Sequence, residues 1–131
     1  MTRATGSFDI TIGGQDTYED RGGGASLAHA WGTQAFRGDI DGDGTIHWLI
    51  SYAPDKTARL VGLQRIKGSI GGRSGSFVVE ALADHDGTSS HGSWSIVEGS
   101  GDGELEGLSG SGSFDAPGGK QGTYDLDYEL G

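Results

Sequence analysis

The chain has 131 residues, 27 of them glycine, no cysteine, and a formal charge of −10 from 19 acids against 9 bases. Its length predicts one domain over residues 1–131. The missing cysteines exclude disulfides and thiolate metal sites, and the acidity repels duplex DNA and anionic lipid. Apolar residues are only 33%, which raises disorder as a reading, but eleven aromatics and clean apolar alternation argue for a folded chain with many tight turns. The glycines follow no G-X-Y period, so a collagen helix is excluded. The start MTRATGSFDI holds no signal-peptide-like apolar run, and no run is long enough for a membrane helix. A cytoplasmic location is the expectation.

Period-two alternation recurs along the chain, and helical stripes do not. SFDITI sets Phe8, Ile10 and Ile12 on one face. The segment after it, Gly13 to Ser26, is polar and glycine-rich and reads as a long mobile flap over one mouth of the fold. An extended strand follows from about Leu27 to Phe36. TIHWLISYA alternates Ile46, Trp48, Ile50 and Tyr52 against His47, Leu49 and Ser51. ARLVGLQRIKG alternates Leu60, Gly62, Gln64 and Ile66 against Val61, Leu63 and Arg65. Further strands are predicted from Ser76 to Leu82, around Trp94 and Ile96, from Leu108 to Phe114, and through Tyr124, Leu126, Tyr128 and Leu130.

The links between them (APDKTA, GGRSG, DHDGT, GSGDGE and APGGKQG) are short and rich in Gly, Asp or Pro. Such links suit tight turns. They force sequential antiparallel pairing, because a parallel crossover needs a dozen or more residues. The fold class predicted is all-β: an eight-stranded antiparallel up-and-down barrel, closed because open edges invite aggregation. A barrel of this size is filled by side chains or holds one small ligand.

DIDGDG (Asp39–Gly44) matches the opening of a calcium loop, yet its twelfth position is Ile50, which cannot coordinate, and its flanks alternate like strands. It reads as a corner between two strands. Neither GGRSGS nor GSGDGELEG carries the lysine step of a phosphate loop or opens a helix. His85 and His91 bracket a turn without HxH or HxxxH spacing. No metal and no cofactor are expected.

Candidate site residues are polar groups inside apolar strands. Glu80 interrupts FVVEALA with apolar residues on both faces, which predicts an enclosed carboxylate; a cross-strand Arg65–Glu80 pair is the plainer alternative. Gln64 and Arg65 pose the same question in VGLQRI. With Trp48 or Tyr52 they would line a lumen. His29 and His47 would serve as acid or base if they face that lumen. Trp31, Trp94 and Tyr124 read as core aromatics or as an aromatic cage.

The stretch from FRGDIDGDGTIHWLISYA through GLQRIKGSIGGRSGSF, then GSGDGELEGLSGSGSF and the ending YDLDYEL, resembles a bacterial family of uncharacterised small proteins with an allene oxide cyclase-like (calycin-like) β-barrel. The resemblance implies that fold, often oligomeric, and implies no established catalytic residues. Three functions follow as expectations. One is an isomerase or cyclase that steers an apolar or aromatic intermediate by confinement, with Glu80, His29 or His47 as proton shuttle. The second is a carrier using the same pocket. The third is an interaction module that forms homo-oligomers through outward apolar strand faces.

Overall fold

A computed structural model describes residues 2–130. It contains nine strands: β1 (Thr2–Gly22), β2 (Ala25–Gly38), β3 (Ile40–Tyr52), β4 (Ala58–Ile70), β5 (Arg73–His85), β6 (Ser90–Ile96), β7 (Asp102–Gly103), β8 (Leu108–Ala116) and β9 (Gln121–Leu130). There are no helices among the described residues, and so none long and apolar enough to cross a membrane. Every pairing is antiparallel. β4 pairs with β5 and β1 pairs with β9, so eight strands close in a ring, with the two-residue β7 lying beside β5. Each predicted strand segment contains a strand, and the short turns give the sequential pairing that their length demands.

Two local expectations are corrected. Gly13 to Ser26 is not a flap of irregular chain. β1 runs on to Gly22 and turns back into β2 as a hairpin, with three register irregularities on the way. Beyond Ile10 this part of β1 pairs only with β2, so it presents a free edge. Bulges and the charges of Asp16, Glu19, Asp20 and Arg21 protect such an edge from pairing with another chain. The second correction concerns Asp41–Gly44. These residues lie inside β3, all paired with β4, and Gly42 to Gly44 also with β2. The corner comes earlier, at Gly38 and Asp39. Gly38 has φ +100°, and a Cβ there would press on Gly6 and the Thr5 carbonyl.

A tyrosine pins that corner. The Tyr124 hydroxyl donates to the Arg37 carbonyl and accepts from the Ile40 N–H, both at 2.9 Å. Burial first, and then the negative charges of Asp39 and Asp41, raise its phenol above the ordinary range. Tyr124→Phe leaves the buried Ile40 N–H without its partner. The expected loss is about 1–3 kcal/mol, read as a lower urea midpoint with unchanged slope.

Inward residues divide the ring's interior into two halves. At the end holding the corner, Ile40, Ile66, Ile70, Phe77, Leu105, Leu108 and Leu126 are all buried and form a plug. Above it Phe8, Phe36, Phe114, Trp94 and Tyr124 make an aromatic layer, with neighbouring ring centroids 5.6–6.4 Å apart. Edge-to-face and stacked contacts at this range add to the burial of each ring.

At the other end, the 86–89 turn is held by one carboxylate. Asp86 accepts from the N–H groups and hydroxyls of Ser89 and Thr88 at 2.9–3.1 Å. Those bonds, Ser89 N–H foremost, hold it well below the usual carboxylate range. A lowered native pKa means that the folded state binds fewer protons. The contribution is therefore complete above the unfolded value of about 3.9 and is lost as pH falls through the native value. Asp86→Asn is expected to lower the urea midpoint at neutral pH. The gap to the parent should narrow toward about pH 3 and below; a constant gap would remove the explanation.

Candidate functional site

The half of the interior away from the plug holds a cavity of about 170 Å³. Phe8, Phe114 and Trp94 reach it from the aromatic layer. Ala30, Trp48, Ile50, Ala58, Leu60 and Ala83 form its wall, and Ile12, Gln15, Tyr52, His85 and Ser90 surround its mouth. The strand sequence explains why space remains here. Inward positions carry alanine at 30, 58 and 83, where the plug carries isoleucine, leucine and phenylalanine. Gly62 is also inward, and a Cβ there would overlap the Trp48 indole, so the ring lies across β4. An aromatic laid over a strand glycine supplies the packing that the glycine lacks.

Two polar side chains sit at the level where cavity meets plug. Gln34 on β2 is 5% exposed and Gln64 on β4 is 1% exposed, and both line the cavity. They flank β3 from either side: Gln34 lies opposite Gly44 and Gln64 opposite Ile46, successive inward positions of that strand. The Oε1 atom of each is buried and has no hydrogen-bond partner in the protein. At the mouth, Gln15 Nε2 donates to the Tyr52 hydroxyl at 3.0 Å, which ties the β1–β2 hairpin to β3. His85 Nδ1 lies 2.8 Å from the Ser90 hydroxyl. Among the described residues that line the cavity there is no Asp, Glu, Lys or Arg.

The structure thus brings Gln64, Trp48, Tyr52 and Trp94 together around one space. Tyr124 lies in the aromatic layer beneath, its hydroxyl turned to the corner. The other candidates lie outside. Glu80 is exposed on the outer face of β5 opposite Leu63, because Phe77, Val79, Ala81 and Ala83 take the inward positions; its expected enclosure is corrected. Arg65 is outward too, opposite Val78, and donates to the Ser76 hydroxyl at 3.3 Å. His29 and His47 face outward rather than into a lumen, with His29 Nε2 and His47 Nδ1 3.0 Å apart and their rings stacked. Trp31 lies on the same outer face, against His29 and over Gly14, where a Cβ would overlap the indole. His85 is half-buried at the cavity mouth, while His91, opposite Asp84, is exposed, so the two histidines do not meet.

Sequence reasoning missed Gln34, Gln15, His85 and Ser90 as cavity residues. Gln34 carried the same signal as Gln64: a polar side chain two residues from an inward Phe36. The others depend on where the hairpin and the 86–89 turn end up.

Fold and site together define an all-β protein whose single antiparallel sheet closes in a ring of eight strands around an apolar cavity with a polar floor. The chain belongs to the DUF3224 family, proteins of unknown function, whose model matches residues 4–128. The chain is similar to a DUF3224 protein of unknown function from Shewanella oneidensis MR-1, known from a crystal structure. The TM-score is 0.86 at 28% identity, over 100% of this chain and 98% of that one. No curated protein matches the chain.

Proposed function

We propose that the ring is a small β-barrel of the allene oxide cyclase-like (calycin-like) kind that binds an apolar or aromatic small molecule in its cavity. The observation that carries this reading is the contrast between the two halves of one interior. One half is packed to exclusion, and the other is kept open by alanines and walled by tryptophans. A cavity of about 150 Å³ in an apolar core takes up benzene, so the 170 Å³ here suits a single ring. Binding without chemistry fits best, since Glu80, His29 and His47 lie away from the cavity. A cyclase or isomerase acting by confinement would have to draw its proton shuttle from the mouth, where His85 stands.

Titration with single-ring aromatic compounds, followed by NMR, tests the proposal. Saturable shifts of the Trp48 and Trp94 indole N–H signals are expected, with those of Trp31 unmoved. No saturable change with any such compound would sink it.

A second reading rests on a different face. Leu49, Val61, Leu63 and Leu82 are 39–56% exposed and adjoin one another across β3, β4 and β5. Such an outward apolar patch suits self-association. Light scattering across a dilution series tests it, and a monomer throughout removes it.

A further inference from the structure

The geometry points to a neutral, single-ring compound bearing a hydroxyl group as the ligand of the cavity, held at its floor by Gln34 and Gln64. This rests on the cavity being a binding site, and it adds the chemistry of the guest. A buried amide oxygen without a partner costs free energy that a purely apolar floor would avoid. Two such glutamines flank the same strand at successive inward positions, and both are more than nine-tenths buried. Leucine or methionine would fill either position without that cost. A ligand that donates to one amide oxygen removes the cost there, and one that also accepts from the other amide engages both residues.

The chemistry of the amide sets the polar group of the ligand. Each glutamine offers one acceptor and one double donor, and a half-turn of the amide exchanges their places. A hydroxyl both donates and accepts, so it can donate a hydrogen bond to one Oε1 and accept one from the other Nε2. A methyl or a halogen does neither. A carboxylate at the floor would need a cation, but none of the described lining residues is Lys or Arg and the histidine, His85, stands at the mouth; burying that charge unpaired is prohibitive. The alanine and tryptophan wall takes the ring, and the volume admits one ring rather than two.

The probes are phenol, cyclohexanol, toluene and benzoate, with dissociation constants from NMR titration of the whole chain. Phenol and cyclohexanol are expected to bind about tenfold tighter than toluene, the equivalent of about 1.4 kcal/mol, and benzoate not to bind. The Gln34 and Gln64 side-chain amide signals should shift with the two alcohols. In Gln64→Leu, phenol should weaken by about tenfold while toluene holds or tightens. If that variant fails to fold, the parent's own ranking of the four probes still decides. Toluene binding as tightly as phenol would overturn the hydroxyl assignment and leave the binding cavity standing. Benzoate binding tightest would overturn it as well. Failure of all four to bind would remove the binding site itself, and the assignment with it.

Discussion

Phe36→Ala is expected to lower stability by about 3–5 kcal/mol, the range for truncating a large buried aromatic. Phe36 is 2% exposed and touches three rings: Phe8 at 6.1 Å, Trp94 at 5.9 Å and Tyr124 at 6.0 Å between centroids. Its ring also lies over Gly44, whose missing side chain makes the room. The truncation therefore removes contacts on several sides. Domains have only about 5–15 kcal/mol to lose, so the urea midpoint should fall steeply with unchanged slope. Phe36→Leu keeps most of the volume and should cost much less. A loss below about 1 kcal/mol for the alanine would mean that the aromatic layer does not hold the ring together.

Ala30→Leu is expected to abolish ligand uptake without destabilising the protein. Ala30 is buried on the inner face of β2, opposite Trp48, and lines the cavity. Enlarging a side chain in a packed core costs about 1–3 kcal/mol. Here the added isopropyl group enters existing space and buries apolar surface, at about 0.8 kcal/mol per CH₂. Stability should hold or rise. Ala81→Leu is the control. Ala81 is fully buried opposite Gly62 and Trp94 but does not line the cavity, so the ordinary overpacking cost applies. Thermal and urea unfolding of both variants, with NMR titration of Ala30→Leu, make the check. Equal destabilisation of the two would show the cavity to be closed by relaxation. Undiminished uptake by Ala30→Leu would place the ligand elsewhere.

Both effects depend on which way a side chain points, and there the sequence was least explicit. Strand character was legible from period-two alternation, and antiparallel order from links too short for a crossover. The sign of the alternation was harder. β3, β4 and β5 carry apolar residues on both faces, with Leu49, Val61, Leu63, Val78 and Leu82 outward. Glu80 therefore looked enclosed when it is exposed. A slip of one residue exchanges the faces of a strand, and no local pattern here prevents it. The aspartate–glycine stretch shows a related limit. Asp41–Gly44 has turn composition, but β4 pairs with it along its length and β2 with Gly42 to Gly44, so the sheet overrides local preference. Its glycines serve close approach: a Cβ on Gly42 would meet the Lys67 carbonyl.

From the sequence by itself came an all-β chain, its strand segments, their antiparallel succession and the likeness to a family, because each rests on local spacing or on short links. Only the tertiary structure decided that Gln34 and Gln64 face the interior while Glu80, His29 and His47 do not, and that the 13–26 segment is a hairpin bordering a mouth. The physical reason is closure. The β4–β5 and β1–β9 pairings make one face of every strand of the ring concave, and only then does an inward position acquire a depth and a set of neighbours.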